Sequence, residues 1–217
     1  MMMLVRVDPK QNAIDVMSIM RDTWVPIPGF GQNKINAALS FGGVKLAVQT
    51  VEQLLDTRID HVAMIDMKGL SNLTDALGGI TIDNPKEFKS RNQGGFTFER
   101  GLIDLDGEQV QAFVRERYAF SDGDYTRVTN QRIVLKALLM KAFSRQVVTD
   151  PARLISTFGS LSPYLATDAG LNAQYAITQA GFLVNFEPEN INLFTMPNAG
   201  TGSAGGGQSV VFLDKAA

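Results

Sequence analysis

Five polar residues near the middle of the chain have types and spacing that suit a phosphorylated ligand. Two of them, Arg115 and Arg117, stand two residues apart in a segment, 112–118, that we predict to be extended. Both guanidinium groups then project from one face of a strand. Two planar guanidinium forks on one face suit an oligo-anion such as a pyrophosphate. The spacing alone fits two ordinary arginines on an exposed strand face equally well.

The other three, Asp124, Arg127 and Gln131, are spaced i, i+3 and i+7 at the start of a helix predicted over 125–143. They share one helical face. Three apolar residues continue that face: Leu135, Leu138 and Ala142. Because a helix N-terminus attracts anions, this face fits a pyrophosphate whose lipid chain contacts the leucines. An amphipathic core helix with a solvated first turn produces the same pattern.

Two further basic residues are candidates for the same kind of site. Arg21 follows a predicted strand, 13–20, and ligands of α/β proteins commonly bind beyond the carboxyl ends of strands. A structural pair between Arg21 and Asp22 is the simpler interpretation. Lys34 follows a Pro- and Gly-rich segment, 24–33, that we predict to be a loop. A lysine in such a place is usually only solvated.

Composition excludes several classes of site. The chain has 217 residues, no cysteine and one histidine, so disulfides, thiolate metal sites and multi-histidine metal sites are excluded. A formal net charge of −2 argues against nucleic acid as a partner. A hydrophobic content of 45% is enough for one sizeable core, and we predict a single domain over 1–217. The glycine-rich segment 200–207 is predicted to be a mobile loop.

Strands and helices interleave along the predicted chain. Strands are predicted at 2–8, 13–20, 59–66, 80–83, 191–196 and 209–213. Helices are predicted at 44–55, 70–77, 106–111, 125–143, 151–161 and 172–184. This order indicates an α/β fold with a mixed central β-sheet sandwiched by helices. We expect an apolar lipid-binding cavity that ends near Leu135, Leu138 and Ala142.

Several segments together resemble the LytR-CpsA-Psr family of cell-wall phosphotransferases. In chain order, the matching segments are 2–9, 21–23, 34–38, 75–80, 105–108, 115–118 and 123–127. Met20 departs from the proline that usually precedes Arg-Asp-Thr in the family, and 130–132 reads Asn-Gln-Arg in place of Arg-Gln-Gln. Each motif is short, but their common order is specific. The resemblance covers most of residues 1–150.

The resemblance implies an enzyme that moves an anionic glycopolymer from a polyprenyl-pyrophosphate carrier to peptidoglycan. Hydrolysis of the pyrophosphate is the implied side reaction. The arginines that hold the pyrophosphate in the family correspond to four residues of this chain: Arg21, Arg115, Arg117 and Arg127. Gln131 would lie beside them and Lys34 is a weaker candidate for the same pocket. Asp124 would orient Arg127 or stand in the outer shell of a metal ion.

The resemblance also implies Mg²⁺ as the cofactor and an extracytoplasmic location. The family's magnesium-binding aspartates precede the strand at 2–8, so no metal ligand is expected within this chain. The apolar opening, Met1 to Val7, has the character of a buried strand. We therefore expect the natural gene to encode upstream sequence with one membrane helix that anchors the domain to the cell membrane. Teichoic acid, arabinogalactan and capsule all remain candidate polymers.

Two other functions fit parts of the sequence. A module that binds a polyisoprenoid lipid without catalysis would share the apolar face of the 125–143 helix. A transcriptional regulator is the second alternative, because the family once carried that label. Such a regulator needs a helix-turn-helix or a basic face, and the sequence shows neither.

Overall fold

The computed structural model describes residues 2–92, 94–120, 124–142, 144–179, 182, 187 and 190–214. In chain order, the elements of this part of the chain are β1 (Met2–Asp8), β2 (Ala13–Ile19), β3 (Trp24–Ile27), β4 (Gly31–Lys34), α1 (Ala37–Leu55), β5 (Ala63–Met64), α2 (Met67–Ala76), β6 (Ile80–Asn84), β7 (Phe88–Lys89), β8 (Thr97–Phe98), β9 (Gly101–Leu105), α3 (Gly107–Arg115), α4 (Asp124–Ala142), α5 (Arg145–Val148), α6 (Pro151–Leu161), β10 (Ala166–Thr167), α7 (Ala173–Thr178), β11 (Ile191–Thr195), β12 (Asn198–Ala204) and β13 (Gln208–Leu213), with a short 3-10 helix at Ser162–Tyr164.

The chain divides into two compact units. Unit 1 comprises Met1–Val7, Ile14–Asp60 and Asn192–Ala217, and unit 2 comprises Asp8–Ala13 and His61–Ile191. Each unit contains both helices and strands, so the predicted α/β class is confirmed. The single domain over 1–217 stays a prediction.

Unit 1 is built around the sheet β1-β2-β11 and two antiparallel hairpins, β3-β4 and β12-β13. Helix α1 packs against β3 and β4. Alternate residues of β2 and β3 point inward, as the period of two in a strand requires. The buried core of the unit consists of Ile19, Val25, Ile27, Ile35, Ala38, Leu46, Val51 and Met196.

Helix α1 begins seven residues before its predicted start at 44. Its path bends at Gly42 and Gly43, where Gly43 has φ of +64° and the backbone leaves helical geometry. Glycine reaches this conformation without a steric penalty, so the two short helical stretches join across the bend. The helix ends at Asp56, which adopts the left-handed conformation with φ of +46°.

Unit 2 packs α2, α3 and α4 around the antiparallel pair β6-β9. Helix α2 is capped by the Asp66 side chain, which accepts a hydrogen bond from the Gly69 amide at 2.6 Å. Gly78 and Gly79 follow α2 with positive φ, as the sequence predicts for a helix end. The largest buried side chains of the core are four phenylalanines: Phe88, Phe98, Phe113 and Phe120. The ring of Phe88 contacts the other three, and Phe98 also contacts Phe113.

Several predicted elements differ from those in the structure. The predicted loops at 24–33 and 200–207 form hairpins, because a few positive-φ glycines in each segment are enough to make a tight turn between strands. The predicted strand at 59–66 reduces to Ala63–Met64. The predicted helix at 172–184 is described only over Ala173–Thr178, since most of the remainder lies outside the described residues. Phe143, the predicted end of α4, also lies outside them.

The predicted central sheet is not continuous among the described residues. Their largest sheet has three strands, and the remaining pairs are two-stranded. Two clefts stand out. One of about 700 Å³ in unit 1 has an apolar wall that includes Met17, Trp24 and Phe212. A smaller cleft in unit 2, of about 280 Å³, is lined by four hydroxyl-bearing side chains, Lys141 and four apolar residues.

Neither cleft is lined by Leu135, Leu138 or Ala142. The lipid cavity therefore stays a prediction. Within the described part of the chain, every helix is too short or too polar to cross a bilayer.

Candidate anion-binding site

Helix α3 carries Arg115 to the surface of unit 2. A capping box fixes the start of the helix: the Asp106 carboxylate accepts from the Gln109 amide at 2.8 Å, and the Gln109 side chain accepts from the Asp106 amide at 3.0 Å. Val110, Phe113 and Val114 form the buried face. Arg115 is the last helical residue and Arg117 lies in the turn that follows.

The prediction of a strand at 112–118 was therefore wrong. Apolar residues at 110, 113 and 114 have the helical spacing i, i+3 and i+4, and they continue the helix to Arg115. The alternation of Arg115 and Arg117 about Glu116 resembles strand periodicity, but it belongs to a helix end. The two arginines consequently do not project from one strand face.

The carboxylate of Glu116 organises the end of α3. The side chain is fully buried, at 0% relative exposure. Oε1 accepts hydrogen bonds from three backbone amides at 2.8–3.0 Å, those of Arg117, Tyr118 and Ala119. Oε2 accepts from the Ser90 hydroxyl and from the amides of Arg91 and Asn92, at 2.6–3.3 Å. One side chain thus joins the turn after α3 to the segment 90–92.

These hydrogen bonds keep Glu116 charged. Burial alone would raise the pKa of its carboxyl group. The amides of Arg91, Ala119 and Asn92 and the Ser90 hydroxyl act in the opposite direction, and the net effect lowers the pKa below its ordinary value. Glu116 is therefore a buried carboxylate at neutral pH, and neutral donors satisfy its charge.

Side-chain amides also complete the C-terminal end of α3. The amide nitrogens of Asn130, Gln131 and Asn92 donate to three successive carbonyl groups, those of Phe113, Val114 and Arg115, at 3.3, 3.2 and 2.9 Å. The last carbonyls of a helix have no partner within the helix, so these contacts fix its end against α4 and segment 90–92. Gln131, predicted to bind substrate, therefore also supports α3.

The guanidinium groups of Arg115 and Arg117 remain available to a ligand. Both residues are exposed, and neither forms an ion pair with any acidic side chain in the described part of the chain. Arg117 lies over the ring of the exposed residue Tyr118, at 5.4 Å from its centroid. Two unpaired guanidinium groups on an ordered helix end form a site of positive charge that suits an oligo-anion.

Helix α4 presents the other predicted residues of unit 2. Arg127 is half-buried in its first turn, and the side chain of Asp124 lies outside the described residues. Further along the helix, Leu138 is buried in the core of unit 2 and Leu135 is half-buried. The burial of Leu138 agrees with the alternative interpretation of the predicted 125–143 helix as an amphipathic core helix. Contact of either leucine with a lipid stays a prediction.

In unit 1, Asp22 gathers the two other predicted cations. Its carboxylate lies 3.4 Å from Arg21 Nε and 3.1 Å from Lys34 Nζ. The backbone amides of Ile35 and Asn36 donate to the carbonyl groups of Thr23 and Arg21, at 2.8 and 3.2 Å, and hold the two segments together. The structure thus brings Arg21 and Lys34 to one acid and also shows the Arg21–Asp22 pair. The pair is compatible with a binding role, since 48% of the Arg21 side chain is exposed.

The magnesium ion implied by the resemblance stays a prediction. No group of three carboxylate or imidazole side chains capable of holding a metal ion occurs among the described residues. Mg²⁺ commonly binds through one or two carboxylates together with waters and substrate phosphates, which requires no such group.

The sequence did not indicate the roles of Glu116, Arg91 and Asn92. A glutamate between two arginines looks like part of an exposed charged face, although its burial could have been suspected from the apolar helix that precedes it. Arg91 and Asn92 meet Glu116 across about 25 positions in sequence. No local pattern predicts such a contact.

Comparisons with known proteins identify the family of this chain. The LytR_cpsA_psr family model matches residues 1–217. TagU of Enterococcus faecalis, a polyisoprenyl-teichoic acid–peptidoglycan teichoic acid transferase, is 39% identical over 163 residues, which cover 75% of this chain and 52% of that protein. The chain spans about half the length of the curated relatives it matches.

Solved structures extend the similarity to the whole chain. That of B. subtilis TagV matches with a TM-score of 0.85 and 26% identity, covering 98% of this chain and 82% of TagV. A structure of TagT bound to LI-WTA matches with a TM-score of 0.77 and 26% identity, covering 99% of this chain and 78% of TagT. On the match of the family model to its full length, this chain belongs to the LytR-CpsA-Psr family.

Proposed function

We propose that this protein transfers a teichoic acid or a similar anionic glycopolymer from a polyisoprenyl-pyrophosphate carrier to peptidoglycan. The observation that carries this proposal is the pair of exposed arginines at the end of α3, Arg115 and Arg117, neither of which has an ion pair among the described residues. Their supporting turn is fixed by a buried carboxylate and three side-chain amides. Family membership and the transferase name of the E. faecalis relative support the choice of substrate class.

The chemistry is phosphoryl transfer. A hydroxyl group of peptidoglycan attacks the phosphorus atom that bears the glycan and loses its proton. The bond from that phosphorus to the bridging oxygen breaks, and polyprenyl phosphate leaves with the bonding electrons. Negative charge develops on the bridging and non-bridging oxygens, and guanidinium groups that are already in place stabilise it. Water attacking in place of the hydroxyl would give pyrophosphatase activity.

Mg²⁺ dependence and membrane attachment are part of the same proposal. A pyrophosphate diester carries two negative charges, and a divalent cation would neutralise charge that the arginines leave uncompensated. A carrier with a long isoprenoid chain resides in the bilayer, so the proposed enzyme works at the outer face of the cell membrane. Chelation by EDTA should abolish transfer, and added Mg²⁺ should restore it.

The direct test is transfer of a radiolabelled teichoic acid from its polyisoprenyl-pyrophosphate carrier to isolated peptidoglycan. In the natural full-length protein, Arg115→Ala, Arg117→Ala and Arg127→Ala should each lower kcat/KM by about ten- to a hundredfold, since a charge-assisted contact is worth roughly 1.5–3 kcal/mol. Arg117→Lys should recover little activity, because a point charge does not reproduce a planar fork. Arg21→Ala and Lys34→Ala belong in the same series.

Arg100→Ala is the matched control, since Arg100 is an exposed arginine of unit 2. It should retain full activity. Carrier binding with no transfer by the unaltered protein, under conditions in which a known relative is active, would identify a lipid-binding module and reject the enzyme. Full activity of all three unit-2 arginine variants would reject this site.

A further inference from the structure

We propose that Arg91 is a third arginine of the anion site at the end of α3, and that Glu116 is the positioning residue that holds it there. Nothing in the family motifs of this chain includes Arg91. The proposal rests on the proposed function for the identity of the anion, which is a pyrophosphate. Its geometric basis is independent of that function.

One carboxylate group brings Arg91 beside Arg117. Oε2 of Glu116 accepts from the Arg91 amide at 2.6 Å, and Oε1 accepts from the Arg117 amide at 3.0 Å. The two backbone nitrogens therefore lie within roughly 8 Å of each other, since the two oxygens belong to one carboxylate. An arginine side chain spans roughly 6 Å from its Cα, so both guanidinium groups can reach one pyrophosphate.

A second contact places Arg91 beside Arg115. The side chain of Asn92 donates to the Arg115 carbonyl at 2.9 Å. The segment 90–92 is thus fixed at two points, the Glu116 carboxylate and the end of α3. Arg91 occupies the middle of a segment that hydrogen bonds join to the backbones of both predicted arginines, directly to Arg115 and through that carboxylate to Arg117.

The charges at this place are unbalanced. Arg91 is exposed, as are Arg115 and Arg117, and none of the three has an ion pair within the described part of the chain. The Glu116 carboxylate accepts hydrogen bonds from the backbones of Arg91 and Arg117. All the hydrogen-bond donors to its two oxygens are neutral groups. Hydrogen bonds within the protein therefore hold the backbones of three exposed arginines near one another around one buried carboxylate. A polyvalent anion would relieve the repulsion among their charges, and a monovalent anion would relieve less of it.

The hydrogen bond to Glu116 comes from the backbone of Arg91, so its side chain can be changed without loss of the contact. Arg91→Ala should leave the melting temperature within about 1 °C of the unaltered protein, as expected for a surface substitution. Its effect on binding then reports on the guanidinium group alone.

The test is calorimetric titration of farnesyl pyrophosphate into the natural full-length protein. Arg91→Ala should raise Kd by about tenfold, the loss of one charge-assisted contact, and Arg91→Lys should restore part of the affinity. Arg100→Ala should change Kd by less than about twofold. For farnesyl monophosphate, the difference in Kd between Arg91→Ala and the unaltered protein should be smaller, because its head group presents fewer charges to the arginines.

The outcomes separate this inference from the proposed function. Weaker binding by Arg115→Ala and Arg117→Ala, with Kd unchanged in Arg91→Ala, would overturn the role of Arg91 and leave the proposed function intact. Unchanged Kd in all three variants would overturn both.

The positioning role of Glu116 has its own readout. If Glu116 acts through Arg91, the effects of Glu116→Gln and Arg91→Ala on Kd should sum to less than their separate values. Part of the loss caused by the first change arises from the guanidinium group that the second change removes, and the rest arises from Arg117, which Glu116 also contacts. Strictly additive effects would show that Glu116 does not position Arg91.

Discussion

Replacing Glu116 by glutamine should destabilise the protein far more than an isosteric change at a surface position. Each carboxylate oxygen of Glu116 accepts three hydrogen bonds. Glutamine keeps one oxygen and puts an NH₂ group in the place of the other. On that side, three donors lose their acceptor and face another donor.

The expected cost follows from those lost contacts. A buried donor without a partner costs about 1–3 kcal/mol, and water can reach some of the donors because segment 90–92 is near the surface. We expect Glu116→Gln to lower the free energy of unfolding by about 2–4 kcal/mol. For a protein of this size, the melting temperature should fall by roughly 5–15 °C.

The assay is thermal unfolding followed by circular dichroism at pH 7. Glu99→Gln is the matched control, since Glu99 is exposed and its side chain makes no hydrogen bond in the described structure. The control should change stability by less than about 0.5 kcal/mol. A melting temperature of Glu116→Gln equal to that of the control would refute the role given to the buried carboxylate.

Acid should reduce the difference between Glu116→Gln and the unaltered protein. The pKa of Glu116 is lower in the folded state than its ordinary value, so its stabilisation is fully present above the unfolded pKa of about 4.3. It is lost as the pH falls through the lower folded pKa. The gap in melting temperature should therefore narrow progressively below about pH 4. A gap of constant size between pH 7 and pH 3 would contradict the lowered pKa.

Two further predictions concern packing and backbone conformation. Phe113→Ala should lower the free energy of unfolding by about 3–5 kcal/mol, because Phe113 is fully buried against the rings of Phe88 and Phe98. Chemical denaturation measures this loss, and a value below about 1 kcal/mol would contradict the packing. Gly79→Ala should destabilise by about 1–2 kcal/mol, since Gly79 has φ of +82° and an added Cβ would lie 3.1 Å from the Leu105 carbonyl oxygen. Gly159 lies in α6 with open space around an added Cβ, so Gly159→Ala should raise the free energy of unfolding by about 0.5–1 kcal/mol. Equal effects of Gly79→Ala and Gly159→Ala on stability would contradict the backbone conformations of the two glycines.

Much of the fold was predictable because local patterns dominate it. Strands β1, β2, β6 and β11 and helices α2, α4 and α6 lie close to their predicted positions, since hydrophobic period, turn residues and caps agree there. Of the four strands in the hairpins β3-β4 and β12-β13, only β13 was predicted. The segments of the other three are rich in proline, glycine and small polar residues, so pairing with a neighbouring strand decides their structure.

The sequence singled out candidate arginines, and it did not predict the structure that supports them. Arg115, Arg117, Arg127 and Arg21 were identified by motif order. The support beneath the first two was not, because it depends on Glu116, whose partners come from segments far apart in sequence. Six hydrogen-bond donors can surround a buried carboxylate only after the chain has folded, so no local pattern reveals them. The spacing of Arg115 and Arg117 on either side of Glu116 suggested a strand instead.

The central claim is that a pyrophosphate binds at the arginines of unit 2. A crystal structure of the protein with farnesyl pyrophosphate tests it most directly. We expect difference density for the pyrophosphate within hydrogen-bonding distance, about 2.7–3.2 Å, of the Arg115 and Arg117 guanidinium groups, with the isoprenoid chain running toward Leu135. Pyrophosphate density at another place on the protein, with both guanidinium groups still in solvent, would contradict the claim.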